Sequence, residues 1–146
     1  MKKYVRWLLV ILVVGLVLTY IRWNDFREKE LVKVLEAEEI KEFRFADGTE
    51  KYPGIEFNGK VKDSESLREL IDFLSQYKVE KVQNNIFTSN YPKEQFNFML
   101  EYEDERSTVP STIERDVVLF DMNQYSVTNG PIDYEWIEKF IAKQEY

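Results

Sequence analysis

A chain of 146 residues is about one domain's worth, and it carries 20 basic against 27 acidic side chains with no cysteine and no histidine. The missing thiols exclude disulfides, thiolate metal centres, cysteine nucleophiles and a lipid-modified cysteine. The missing imidazoles exclude the serine, cysteine and zinc chemistries that depend on them.

Between Arg6 and Arg22 lie 15 uncharged residues, eleven of them Leu, Ile or Val. With the flanks Tyr4 and Trp23 the stretch reaches 20 residues, about 30 Å as a helix, which matches the hydrocarbon thickness of a bilayer. The aliphatic residues contribute on the order of 3 to 7 kcal/mol to insertion, and Arg6 sits where its stem can snorkel to the headgroups. Tyr4 and Trp7 on one side and Tyr20 and Trp23 on the other make the two aromatic belts of a transmembrane helix. Lys2, Lys3 and Arg6 precede the span without an acid, which orients the N-terminus to the cytoplasm and the rest of the chain outside. A cleaved signal peptide is the rival reading, but Val17-x-Thr19 is a poor cleavage site. Gly15 is the only glycine of the span, so no glycine-xxx-glycine seam is present for helix pairing.

Residues 1–23 are thus read as a cytoplasmic tip and a membrane anchor. The remaining 123 residues hold all 27 acids and 16 of the 20 basic residues, a net charge of −11. That balance argues against nucleic acid and against close adhesion to an anionic membrane.

Residues 24–38 are expected to form a juxtamembrane stalk helix capped by Asn24 or Asp25, with Phe26, Leu31, Val34 and Leu35 at near-helical spacing and Glu/Lys pairs alongside. Residues 39–146 are expected to be an extracytoplasmic α+β domain. Ile40–Phe45 alternates as a strand, with Phe43 and Phe45 on one face and Glu42 and Arg44 on the other, closed by Asp47-Gly48. Ile55–Val61 reads as its partner, with Asn58-Gly59 marking a turn or bulge. Asp63 or Ser64 caps a helix whose stripe is Leu67, Leu70, Ile71, Leu74 and Tyr77. A strand starts at Val79. Phe96, Phe98, Leu100 and Tyr102 form the strongest half-buried strand pattern in the chain. The segment DERSTVPSTIER reads as a loop, followed by strands at 116–121 and 125–128. A last helix from Ile132 or Asp133 to Lys143 presents Trp136, Ile137, Phe140 and Ile141. The fold expected is α+β: an N-terminal transmembrane helix, then an antiparallel sheet packed against two or three helices.

Few residues carry chemistry. Carboxylates are plentiful, so an envelope hydrolase using an acid pair is one reading, but no constellation marks a catalytic residue. Asp47-Gly48-Thr49-Glu50 and Asp63-Ser64-Glu65 lack the spacing of a calcium loop, and no glycine-rich phosphate loop occurs. No catalytic residue, cofactor or metal site is therefore assigned. The segment 86–92 places Ile86, Phe87 and Tyr91 in a stretch that otherwise reads as loop. Such aromatics either fold back as a lid on the core or meet a protein partner.

The layout resembles the small, mostly uncharacterised envelope proteins of Gram-positive, Bacillus-type bacteria. The elements that carry the resemblance are the anchor, the strand pair around a DG turn, the LRELIDFLSQY helix, the strands FNFMLEY and VVLFDMNQYSVTNG, and the closing helix DYEWIEKFIAK. The anchor here is a helix with no cysteine lipobox, unlike the lipoprotein members. The resemblance implies a membrane-anchored, extracytoplasmic α+β protein and transfers no functional residue. Together these readings suggest a binding or regulatory module with an envelope protein partner. A structural subunit paired through its membrane helix is a further alternative.

Overall fold

The computed structural model describes residues 2–46, 56–83 and 87–144. Helix α1 spans Lys2–Phe26 and, from Tyr4 onward, forms a candidate membrane span by length and hydropathy, with none of it buried. Tyr4, Trp7, Tyr20 and Trp23 are all exposed, and nothing lies within 4 Å of a Cβ built at Gly15. The Thr19 hydroxyl donates to the Gly15 carbonyl at 2.8 Å, so the one polar side chain in the middle of the stretch is satisfied within the helix.

The expected stalk is absent. Asn24 and Asp25 belong to the last turn of α1, and the chain then forms strand β1 (Lys29–Glu30), a single helical turn α2 (Leu31–Val34) and a 3₁₀ turn at Ala37–Glu39. Glu36, at φ 51°, ends any helical continuation. The spacing of Leu31 and Leu35 reflects a real apolar face, but that face is fully buried in the domain core. A free helix would have left both side chains in water, and burying two leucines is worth about 3 kcal/mol or more. The domain therefore begins directly after α1.

Strands β2 (Ile40–Phe45), β3 (Gly59–Val61), β4 (Lys78–Lys81), β5 (Gln95–Tyr102), β6 (Ser111–Glu114), β7 (Val117–Phe120) and β8 (Asn123–Val127) join β1 in one antiparallel sheet among the described residues, in the order β1-β4-β8-β7-β6-β5-β2-β3. Helix α3 (Ser64–Leu74) and helix α4 (Tyr134–Ile141) pack on one face. The architecture is α+β, as expected, with more strands than the sequence revealed.

Periodicity explains the sheet's centre. Phe96, Phe98, Leu100 and Tyr102 are buried while Gln95, Asn97, Met99 and Glu101 face the other side. Phe43 pairs with Leu100 and Phe45 with Phe98, so the rings of Phe43, Phe96 and Phe98 stack at centroid separations of 5.2–6.0 Å. Gly59 opens β3 opposite Phe45, where any side chain would overlap the Phe45 ring. The turns at Asp47-Gly48 and Pro53-Gly54, and Ile55, lie outside the described residues.

Both helices start where their caps dictate. Asp63 accepts from the Ser66 amide at 2.7 Å and Asp133 from the Trp136 amide at 3.1 Å. Leu70 and Leu74 of the expected stripe are buried together with Phe73, while Leu67 and Ile71 are half-buried. Ile137 and Phe140 anchor α4. Trp136 stacks on Phe73 with centroids 3.8 Å apart and planes 5° from parallel, which joins the two helices.

The reading of 104–115 as loop is corrected at its C-terminal end, where Ser111–Glu114 forms β6 between β5 and β7. The turns that bound this strand and the next carry no glycine. Arg115 sits at φ 40°, and the two-residue turn between β7 and β8 holds Asp121 and Met122 at φ 46° and 62°. Two positive φ values make a type I′ turn, for which Asn-Gly or Asp-Gly is the usual sequence.

Candidate functional site

Strand β4 is second in the sheet and β5 sixth, so the chain from Val82 to Glu94 must pass β8, β7 and β6. Its residues 87–94 lie on the face away from α3 and α4, and one carboxylate holds them there. Glu114 alternates with the buried Ile113 and so projects from that opposite face, yet it is itself only 2% exposed. Its Oε1 accepts from the amides of Asn90 and Tyr91, both at 2.8 Å, and its Oε2 from Gln95 Nε2 at 2.8 Å. Burial pushes the Glu114 carboxyl up, but the bonds from Gln95 and from the Tyr91 and Asn90 amides outweigh it and hold it below the usual range. The latch is thus ionised at neutral pH.

Of the three residues proposed for partner contact in this segment, Ile86 lies outside the described residues, Phe87 is half-buried and Tyr91 is 40% exposed. The Arg115 guanidinium lies 4.5 Å from the Tyr91 ring centroid, and Arg115 Nε is 3.4 Å from Glu94, so Tyr91 is pinned beside the β6–β7 turn. Phe87 lines a groove of about 320 Å³ with Val109, Pro110, Leu119, Met122 and Gln124. Tyr91 is not among the residues of the groove that Phe87 lines. The groove is rimmed by exposed apolar groups: Val109 is 43% and Met122 85% exposed. Gln124 Oε1 is buried there without a hydrogen-bond partner. Neither Glu114 nor the Met122 rim was singled out in the sequence. The Ser111/Ile113 alternation after Pro110 was the signal available for the strand that carries Glu114.

A second charged cluster occupies the same face at the other side of the sheet. Glu42, 3% exposed, lies directly opposite Glu101 in the β2–β5 register. Two carboxylates in that relation repel, and three cations offset them. Arg44 Nε donates to Glu42 at 2.7 Å and its Nη2 to Glu101 at 3.0 Å, Lys41 donates to Glu101 at 3.3 Å, and Lys62 pairs with Glu42. Burial raises the Glu42 pKa, but Lys62 and Arg44 more than reverse it. A carboxylate held ionised in this way has no proton to donate near neutrality, which is the wrong state for the acid of a hydrolytic pair. Among the described residues no group of three or more acidic side chains is arranged to hold a metal ion.

No protein-family model matches the chain, no curated protein matches it, and no solved structure matches its fold.

Proposed function

We propose that this is a single-pass membrane protein whose acidic α+β domain lies outside the cytoplasm and acts as a binding or regulatory module rather than as an enzyme. The observation that carries the reading is the junction of α1 with the domain. An apolar helix whose membrane-length hydrophobic stretch is wholly unburied runs to Phe26, where only its last turn meets the sheet, and strand pairing begins at Lys29. An unburied apolar surface of this length is unstable in water and stable in lipid. The basic residues Lys2, Lys3 and Arg6 ahead of the span support a cytoplasmic N-terminus. The layout resemblance to small anchored envelope proteins points the same way. The partner expected is another envelope protein, meeting the face that carries the Glu114-latched loop. No nucleic acid is expected, given the net charge of −11 after the anchor.

The experiment is photocrosslinking in intact membranes, with the reactive residue at Phe87 or Tyr91 and a control at Arg68 on the exposed side of α3. One defined adduct from the loop positions and none from Arg68 supports the module. Adducts of equal yield from all three positions, or recovery of the full chain in the soluble fraction after alkaline extraction, would overturn it.

A further inference from the structure

The strand directions fix which end of the domain faces the anchor. Asp25 in the last turn of α1 meets Lys81 at the end of β4, and β1 then runs from Lys29, opposite Val79, to Glu30, opposite Lys78. The chain thus leaves α1 at the Lys81 end and travels away from it. Strand β8 is antiparallel to β4 and so parallel to β1, which places its first residue, Asn123, and the preceding Asp121-Met122 turn on the side from which α1 arrives. Strand β6 is parallel to β8 in turn, so Val109 and Pro110, just before Ser111, lie at that same end. Tyr125, opposite Lys81, feels the charges of both Asp25 and Asp121, in keeping with this placement.

Height follows from the helix. The aromatic belt at Trp23 marks the headgroup level, and Asp25 is only two residues, about 3 Å, beyond it. With no linker between α1 and the sheet, the Lys81 end is held at the bilayer surface. On that end sit Met122, 85% exposed, and Val109, 43% exposed, beside Pro110 and above the half-buried Phe87. Met122 occupies a left-handed position at which glycine or asparagine is favoured, so the turn keeps a large apolar side chain at a backbone cost. The neighbouring acids Glu103, Asp104 and Glu105 at the β5–β6 turn disfavour an anionic surface, so the attraction is apolar and not electrostatic.

We infer that the Met122 turn, with Val109 and Pro110, is a second membrane contact that dips into the headgroup–acyl boundary of the bilayer crossed by α1, fixing the orientation of the domain on that bilayer. The inference rests on the membrane-anchor reading.

Because the chain has no cysteine, a single introduced cysteine at Met122, Val109, Asp116 or Val14 takes one fluorophore at one site. The full-length protein is placed in phosphatidylcholine nanodiscs with or without bromine on the acyl chains, and quenching by the brominated lipid and by aqueous iodide is read at each position. Asp116, in the β6–β7 turn at the far end of the sheet, is the control, and Val14 reports the anchor. The expected result is loss of most of the emission to brominated lipid at Met122, Val109 and Val14 and none at Asp116. Quenching at Val14 alone overturns the inference and leaves the anchor reading standing; absence of quenching at Val14 overturns both. Protection of Met122 from iodide without quenching by lipid means that protein covers the turn, and also overturns the inference. Met122→Gly relieves the left-handed strain, so its thermal midpoint is expected not to fall while lipid quenching at Val109 declines. Unchanged quenching at Val109 in that variant would show that Met122 does not hold the contact.

Discussion

The Asp25 carboxylate at the end of α1 lies 2.9 Å from the Lys81 ammonium at the end of β4, and the Lys81 ammonium also sits 5.8 Å from the Phe26 ring centroid. The membrane-type helix is therefore docked on the sheet and not merely tethered to it. Both side chains retain solvent contact, so their mutual attraction is screened. Lys81→Ala is expected to cost less than about 1 kcal/mol in urea denaturation, as exposed pairs do. Its larger effect is expected on orientation: a spin label on the domain of the nanodisc-bound protein should gain mobility, and the exchanged pair Asp25→Lys with Lys81→Asp should restore the wild-type spectrum. Unchanged mobility in Lys81→Ala would show that the short connection alone holds the domain.

Gly59 is needed for space and not for turn geometry. Because a Cβ there would overlap the fully buried ring of Phe45, Gly59→Ala is expected to destabilise by about 1 to 3 kcal/mol, the range for overpacked cores. Combining it with Phe45→Leu should cost less than the sum of the two single changes, measured as a double-mutant cycle. Strict additivity would mean that the backbone at Gly59 moves aside instead.

Of the three tryptophans, Trp7 and Trp23 lie on α1 and Trp136 alone lies in the domain. In a Trp7→Phe, Trp23→Phe background the fluorescence of Trp136 should therefore report domain unfolding as one transition. Trp136→Ala removes the stack on Phe73 as well as the neighbouring stack on Phe140 at 5.1 Å, and a loss of roughly 2 to 4 kcal/mol is expected, below that of a wholly buried tryptophan. The coupling between Trp136→Ala and Phe73→Ala should be about 1 kcal/mol.

Glu114 connects the loop to pH. Its carboxyl titrates lower in the folded protein than when unfolded, as does that of Glu42. Between the two values the unfolded chain binds more protons, so the stability each group supplies is complete above the ordinary carboxylate value near 4.5 and is lost as pH falls through the depressed folded value. The urea midpoint should hence fall below about pH 4.5, and Glu114→Gln should flatten that fall while sparing part of the latch. Glu114→Ala leaves two amides and Gln95 Nε2 without their acceptor, and is expected to cost roughly 2 to 4 kcal/mol at neutral pH. A midpoint equally pH-dependent in Glu114→Gln would assign the acid response to the other carboxylates held low in the fold, Glu42 among them.

Properties encoded within a few residues of one another are legible in the chain before it folds. The apolar run of α1, the alternation of Phe96 to Tyr102, and the cap at Asp63 are local patterns, and local hydrogen bonding and periodicity are enough to produce them. The same locality misled at residues 24–38. There the spacing of Leu31 and Leu35 matches a helix, but burial against the core outweighed helix propensity and drew Lys29–Glu30 into pairing with β4. Strand β6 is not announced locally, because Arg115 makes the turn that follows it at positive φ without the glycine or asparagine that usually marks such a turn. The course of residues 87–94 over the sheet, the burial of Glu114 beneath them and the assembly of Phe87, Val109 and Met122 at the α1 end arise from long-range packing alone. Each depends on strand order, which places residues far apart in sequence side by side and leaves no periodic trace in any one segment.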